Sequence, residues 1–349
     1  EHFWSGDPER CLRDWAGRMR AAGILRVDGD VVIDNRLFRG PIRPTTYPTE
    51  NGNAIKWFSA PASAFAFNDN CIDVRAVPTS PGSACRVEVR PRSPRVTVDN
   101  RTRTVSGAGD AMFLVDRAAQ ANAVSVTGNY SKITTWFPVA IHEDPDLLAG
   151  DAFAAALRDM GIVVTGTVRI GDVDPRNGPL IIEHRSDLLP VLTVMNQRSQ
   201  NFYAEQLLRI IGNKRFGSGS ISDGARAVRE ACAPLMGDDA SSLTVFDGSG
   251  LSYGNVGSAR AMCRLLASLD AGPFKRVFVP TLKDKPYAGL VGKVKTGTLA
   301  TASCLAGYVE GRNGRLAFAI ELGQGQARGW DWGSKLRERL FEVIADVVR

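Results

Sequence analysis

Histidine is almost absent from this chain. Only His2, His142 and His184 occur in 349 residues, and they share no spacing that would ligate a metal or complete a Ser-His-Asp triad. The six cysteines (Cys11, Cys71, Cys85, Cys232, Cys263, Cys304) are scattered and form no Cys-x-x-Cys, which argues against structural zinc. Their even number leaves disulfides open in an oxidising compartment, where Cys71 and Cys85 could close a β-rich loop; buried free thiols are the plainer expectation. No run reaches the roughly 18 consecutive apolar residues of a membrane span, and no secretory leader pattern is present. The glycine-rich pieces Gly217-Ser-Gly219 and Gly323-Gln-Gly325 complete neither a phosphate loop nor a dinucleotide fingerprint. The expectation is an activity with no metal, no cofactor and no transmembrane segment.

What is present describes an ordinary globular protein. Hydrophobic residues make up 44% and charged residues 23%, and the length suits about two domains. The formal charge of +6 favours contact with anionic polymers such as cell wall without demanding it. Arg86, Arg90, Arg92, Arg95, Arg101 and Arg103 form a basic ribbon. A solvated hairpin face is expected there ahead of a teichoic acid site, and nucleic acid is not expected because aromatic interleaving is missing. The sequence starts Glu-His-Phe-Trp, which reads as a trimmed product.

Helical spacing over 9–22, ended by Gly23, is followed by a strand from Ile24 to Ile33 that turns at Asp28-Gly29. Prolines 41, 44 and 48 mark a connector, and from Ala54 to Thr127 short β-runs alternate with turn residues. A helix over 147–160 leads into a strand pair within Ile162–Ile170. This predicts a β-rich region over 1–178, read as two nested domains with the inner one at about 41–127. Beyond it, 179–349 has helices at 188–195, 201–211, 223–235 and 259–269, the last capped by Ser258. Strands at 291–299, 304–310 and 316–322 follow, with Asn313-Gly314 as a hairpin turn. An amphipathic helix with Leu336, Leu340, Ile344 and Val347 on one stripe closes the chain. The predicted class is α+β, an antiparallel sheet covered by helices.

Two short strings carry chemistry. Ser199-Gln-Asn201 offers a hydroxyl that can relay a proton and an amide that can grip a peptide bond, although a Ser-x-Asn also serves as a helix cap. In Lys295-Thr-Gly-Thr298, strand alternation puts Thr296 and Thr298 on one face and Lys295 on the other. Two hydroxyls can hold a carboxylate, Gly297 lets a ligand backbone lie alongside, and the Thr298 N–H can serve an oxyanion. The competing reading is an edge strand guarded by a lysine. Asp247-Gly-Ser-Gly-Leu-Ser252 permits a tight ligand-facing loop or an ordinary turn.

The order Ser-Gln-Asn, Asp-Gly-Ser-Gly-Leu-Ser, Lys-Thr-Gly-Thr resembles the serine D-Ala-D-Ala carboxypeptidase/endopeptidase family, the low-molecular-mass class C penicillin-binding proteins. Ala204-Glu205, Leu305-Ala-Gly-Tyr308, Ala60-Pro-Ala-Ser-Ala64 and Asn68-Asp-Asn70 extend the similarity over nearly the whole chain. The resemblance implies a penicillin-binding (serine transpeptidase/β-lactamase-like) domain, of which 179–349 is the C-terminal part, with β-rich domains inserted. It implies a catalytic set of Ser199, Asn201 and Lys295, with Thr296, Gly297 and Thr298 binding substrate. The implied partners are peptidoglycan stem peptides ending in D-Ala-D-Ala and acylating β-lactams, and the implied location is the periplasm or another extracytoplasmic space. One motif departs from the pattern: no lysine of this sequence has a serine three residues before it, so the family nucleophile in Ser-x-x-Lys is missing. In relatives that motif comes earlier, and Phe3-Trp-Ser-Gly-Asp-Pro8 resembles the stretch shortly after it, so the nucleophile is expected upstream of Glu1. The alternative is a non-catalytic envelope protein that keeps the cleft as a binding surface. A compact β-lactamase is disfavoured by the long β insert.

Overall fold

The computed structural model describes residues 6–118, 120–287, 289–323 and 330–349. His2, Phe3–Ser5 and Gln324-Gly325, which figure in the motifs above, lie outside them. The chain divides into two units, Glu1–Phe38 with Thr49–Arg185 and Arg39–Pro48 with Ser186–Arg349. Residues 41–48, expected with the inner β-rich domain, thus group with the second unit.

The first unit runs α1 (Arg10–Ala21), β1 (Arg26–Val27), β2 (Val31–Ile33), β3 (Cys71–Val77), β4 (Arg86–Arg90), β5 (Thr97–Thr104), β6 (Leu114–Arg117), β7 (Ala123–Tyr130), β8 (Phe137–Ala140), α2 (Pro145–Asp159), β9 (Val163–Val164) and β10 (Val168–Ile170). The sequence places a turn between β1 and β2, yet the two do not pair. Instead β1 runs parallel to β9 and β2 parallel to β10, with α2 as part of the long connection that parallel strands require. Alanines on α2 let it approach α1 closely, burying Leu12, Ala16, Ala152, Ala156 and Leu157 together. Two three-stranded sheets, β4-β3-β8 and β5-β7-β6, make up the β-rich part. It extends to Ala140, beyond the predicted Thr127.

All six cysteines are free. Val77 faces Arg86 while Asp73 faces Arg90, so Cys85 and Cys71 stand at opposite ends of the β3–β4 ladder. They are on the order of 20 Å apart at a strand's rise per residue, far beyond disulfide reach. The arginine ribbon is largely neutralised internally. Arg86 meets Glu88 at 2.8 Å, Arg90 meets Asp73 at 2.9 Å, Arg95 meets Asp151 at 3.2 Å, Arg101 meets Asp99 at 2.7 Å, and Arg92 pairs with Asp159.

The second unit comprises α3 (Leu188–Arg198), α4 (Asn201–Phe216), α5 (Ile221–Met236), α6 (Ala259–Ala271), α7 (Lys275–Phe278), β11 (Lys283–Tyr287), β12 (Leu290–Thr298), β13 (Ala302–Gly311), β14 (Gly314–Gly323) and α8 (Trp330–Val348). Ser258 caps α6 by accepting from the Ala261 N–H at 3.2 Å. The four strands form one antiparallel sheet in the order β11-β12-β13-β14. Strand β11 was not legible, because Lys-Asp-Lys-Pro-Tyr lacks apolar alternation. One sheet face packs Val294, Leu305, Val309 and Ile320 against Phe341, Ala345 and Val348 of α8. The other packs Tyr308 against Leu266, Val279 and Leu282. Helix α8 therefore buries 341, 345 and 348, one residue round from the predicted stripe: Ile344 still packs on this core, but Leu340 is 36% and Val347 64% exposed. The fourth member of the buried stripe is Arg337, and its charge is what displaced the apolar pattern.

At Gly307, β13 leaves no room for a side chain against β12. Its φ is +153°, and a Cβ there would meet the Lys293 carbonyl oxygen at 2.1 Å and the Val294 Cα at 2.8 Å. Gly307→Ala is expected to destabilise the second unit by about 1–3 kcal/mol, read as a lower denaturation midpoint. An unchanged midpoint would show that the sheet absorbs a methyl at this crossing.

Candidate functional site

Helix α3 ends because Ser199 adopts the left-handed conformation, φ 56° and ψ 48°. That conformation is unusual for a residue with a Cβ and costs on the order of 1 kcal/mol or more. The turn is held by the N–H groups of Ser199 and Gln200, both donating to the Met195 carbonyl, the latter at 3.1 Å. Gln200 is buried, and α4 starts at Asn201. Ser199 is thus a hinge between two helices rather than a cap of the second, and its exposed hydroxyl is left for other work. Asn196 fixes the helix above the sheet by donating to Thr281 Oγ1 at 2.7 Å, immediately before the residues that lead into β11.

Lys295 reaches that hydroxyl from the sheet. Its Nζ donates to Ser199 Oγ at 2.8 Å and to the Thr296 carbonyl at 2.6 Å. Burial holds the Lys295 ammonium below the ordinary lysine range, since desolvation disfavours the charged form. Strand register puts Lys295 opposite Ala306, and Thr296 and Thr298 opposite Leu305 and Ser303. The two threonines therefore sit on the face of the sheet that carries α8, and Lys295 sits on the face toward Ser199. Thr296 and Gly297 are exposed.

The edge of β12 is only half covered. Strand β11 pairs with Leu290–Val294 and stops there, so Lys295–Thr298 has β13 on one side and, among the described residues, no strand on the other. Alternate N–H and C=O groups of those four residues face the vacant side. An extended peptide can add there as a strand, with Ser199 and Lys295 at one end and Thr298 at the other.

Behind Ser199, α4 carries a buried polar cluster. Glu205 is 1% exposed; one carboxylate oxygen accepts from Tyr47 Oη at 2.8 Å and from the N–H groups of Gly248 and Ser249 at 3.0 and 2.8 Å. Tyr47 Oη also lies 3.0 Å from Ser249 Oγ. Asp247 pins its own loop, accepting from the N–H of Gly250 at 2.7 Å and of Ser252 at 2.6 Å. Gly248 is required because a Cβ would strike the Ala204 carbonyl at 2.4 Å. Glu205 shares a helix face with Asn201, four residues away, so the Asp247–Ser252 loop is clamped one turn from it. Arg209, one turn further, donates to the carbonyls of Arg39, Gly219 and Pro41, which is why 39–48 belongs to this unit. Tyr47 carried no signal in the sequence, and Glu205 stood out only as part of a longer string.

Among the described residues no group of three or more His, Cys, Asp or Glu side chains is placed to hold a metal ion, and no helix is long and apolar enough to cross a membrane.

Three likenesses can be set beside this geometry. Residues 4–337 match the D-Ala-D-Ala carboxypeptidase 3 (S13) family. The D-alanyl-D-alanine carboxypeptidase of Actinomadura sp. (strain R39) is 29% identical, the match covering 90% of this chain; the chain spans 64% of the length of that relative. Among solved structures, penicillin binding protein 4 from Haemophilus influenzae has a TM-score of 0.73 at 21% identity, covering 97% of this chain and 80% of that one. The same protein complexed with a novel β-lactam has a TM-score of 0.67 at 20% identity over the same shares. The fold is accordingly the α+β penicillin-binding fold.

Burial, and after it the nearby Asp247, raise the Glu205 carboxyl above the ordinary glutamate range. The neutral form is then favoured in the fold, so this group's contribution is lost as pH climbs through the raised value. Glu205→Gln removes the titration. The unfolding midpoint of the variant, relative to the parent, should rise with pH above the ordinary carboxylate range of about 4.3. A difference independent of pH would contradict a neutral buried Glu205.

Proposed function

The chain belongs to the D-Ala-D-Ala carboxypeptidase 3 (S13) family, and from that premise we propose that the protein is a serine D-alanyl-D-alanine carboxypeptidase of peptidoglycan stem peptides. The observation that carries the reading is the 2.8 Å contact from Lys295 Nζ to Ser199 Oγ beside the uncovered edge of β12. A stem peptide lies along Lys295–Thr298 as an added strand, its terminal carboxylate at the hydroxyls of Thr296 and Thr298. Gly297 keeps the strand surface flat beneath it, and Asn201 takes a peptide carbonyl or N–H of the substrate.

The chemical step is acyl transfer to a serine. The nucleophilic Oγ attacks the carbonyl of the penultimate D-Ala, the C–N bond to the terminal D-Ala breaks, and the departing amine takes a proton. Ser199 relays that proton, and Lys295 supplies positive charge at the relay and lowers the energy of the negative charge that develops. Water then hydrolyses the ester and frees the serine. The serine of a Ser-x-x-Lys motif is absent from these 349 residues, so the reading requires the gene to encode that motif outside them. The same cleft accepts cross-links whose donor strand ends in D-Ala, giving endopeptidase action, and β-lactams acylate the same serine. The cell envelope outside the cytoplasmic membrane is where such substrates occur.

The missing motif favours one second reading, a non-catalytic envelope protein that binds stem peptides in this cleft. Covalent labelling of the protein as the gene encodes it with a fluorescent penicillin separates the two. A labelled band is expected; no label at saturating probe would leave only the second reading. Lys295→Ala is expected to slow acylation at least about a hundredfold with an unchanged unfolding midpoint. Near-parental acylation in that variant would remove Lys295 from the site.

A further inference from the structure

Among the described residues, Arg337 is a buried cation whose one ion pair is long and shared. It is 8% exposed, and Nη1 donates to Ser303 Oγ at 3.2 Å, to the Cys304 carbonyl at 3.3 Å and to Thr298 Oγ1 at 3.4 Å. Its Nε is buried with no hydrogen-bond partner. The carboxylate that pairs with it among the described residues is Glu338, 3.7 Å from Nε, and Glu338 is also paired with Lys285. Three long hydrogen bonds to neutral acceptors do not compensate a desolvated guanidinium. An anion brought beside it would stabilise such a charge.

The geometry says which anion. Thr298 and Ser303 face each other across the β12–β13 ladder, and both hydroxyl oxygens accept from the same Nη1. A hydroxyl whose lone pair is engaged by a cation has its own O–H proton directed elsewhere and made a stronger donor. Thr298 is the last residue of β12 and lies on the stretch that β11 does not pair, so a ligand added there can accept from that O–H. We infer that Arg337 is a positioning residue for the free C-terminal carboxylate of the peptide: it orients the Thr298 hydroxyl as a donor and supplies the positive charge behind it. Substrate recognition then depends on a residue some forty positions from the Lys-Thr-Gly-Thr string, on the helix that closes the chain. The inference rests on the peptide lying along β12 and adds the group that discriminates a carboxylate from a neutral terminus.

The test compares two peptides with the protein as the gene encodes it. One ends in D-Ala-D-Ala carboxylate and the other in the same sequence as a carboxamide. For Arg337→Met, kcat/KM on the carboxylate peptide should fall about ten- to a hundredfold, the scale of a charged hydrogen bond, chiefly through KM. The carboxamide peptide should change less than about threefold, and Arg337→Lys should restore part of the preference. Thr298→Val should reproduce the loss, and Arg337→Met added to it should cost little more, because both act through one hydroxyl. The unfolding midpoint should not fall, since an unpaired buried charge is being removed. Equal losses on both peptides, or a retained preference for carboxylate, would overturn the inference. If neither peptide turns over, fluorescence anisotropy of the same two peptides, labelled, takes the place of kinetics. A carboxylate preference that vanishes in Arg337→Met then upholds Arg337 while the carboxypeptidase reading fails; binding with no such preference overturns Arg337.

Discussion

One contact organises the second unit: a lysine on a strand meeting a serine at a break between two helices. Lys295 and Ser199 are 96 residues apart in sequence, and neither position is comfortable. Ser199 holds a left-handed backbone conformation that a residue with a Cβ seldom adopts, and Lys295 keeps its ammonium partly desolvated. Both are stabilised from behind, the serine by the α3–α4 turn and the Asn196–Thr281 hydrogen bond, the lysine by a strand fixed on one side by β13. The cost is borne at the single place where β12 loses its outer neighbour. A hydroxyl on a left-handed backbone, a partly desolvated cation and a strand edge unpaired among the described residues coincide there, and that coincidence supports catalysis or binding over simple packing.

The site is backed by buried ionisable groups whose roles differ in kind. Glu205 gathers Tyr47 Oη and two backbone N–H groups on one oxygen, tying the 39–48 segment and the 247–252 loop to α4. Burial and Asp247 push it toward the neutral form, so it serves as an acceptor through one oxygen, its other oxygen being buried without a hydrogen-bond partner among the described residues. Arg337 is the reverse, a buried guanidinium whose carboxylate partner among the described residues, Glu338, is shared with Lys285. The first fixes the frame around Asn201, and the second contacts Thr298 at the end of β12.

Much of this was readable beforehand, and the failures have physical causes. Helices with apolar spacing and the Ser258 cap depend on local chemistry and fall where spacing and cap residues put them; the hairpin forms as expected, its two-residue turn at Arg312-Asn313 with Gly314 already paired to Gly311. The parallel pairing of β1 with β9 and β2 with β10 depends on α2 bringing distant segments together, and no local pattern records it. Strand β11 was invisible because Pro286 and three charges in five residues hide any alternation. The stripe on α8 was set one residue off because the buried position 337 is an arginine, which apolar periodicity counts as surface. The Ser199-Gln-Asn201 and Lys295–Thr298 strings were visible because they are contiguous. Tyr47, Glu205 and Arg337 join the site only through folding.

The central claim is that the free edge of β12 and the Ser199–Lys295 contact form a single peptide cleft. A crystal structure of the protein with a stem-peptide mimic ending in a D-Ala carboxylate tests it most directly. The account predicts an extended ligand paired to Lys295–Thr298, its carboxylate at the threonine hydroxyls and its scissile carbonyl beside Ser199. A ligand bound elsewhere, or Ser199 and Lys295 too far apart to touch the same molecule, would contradict it.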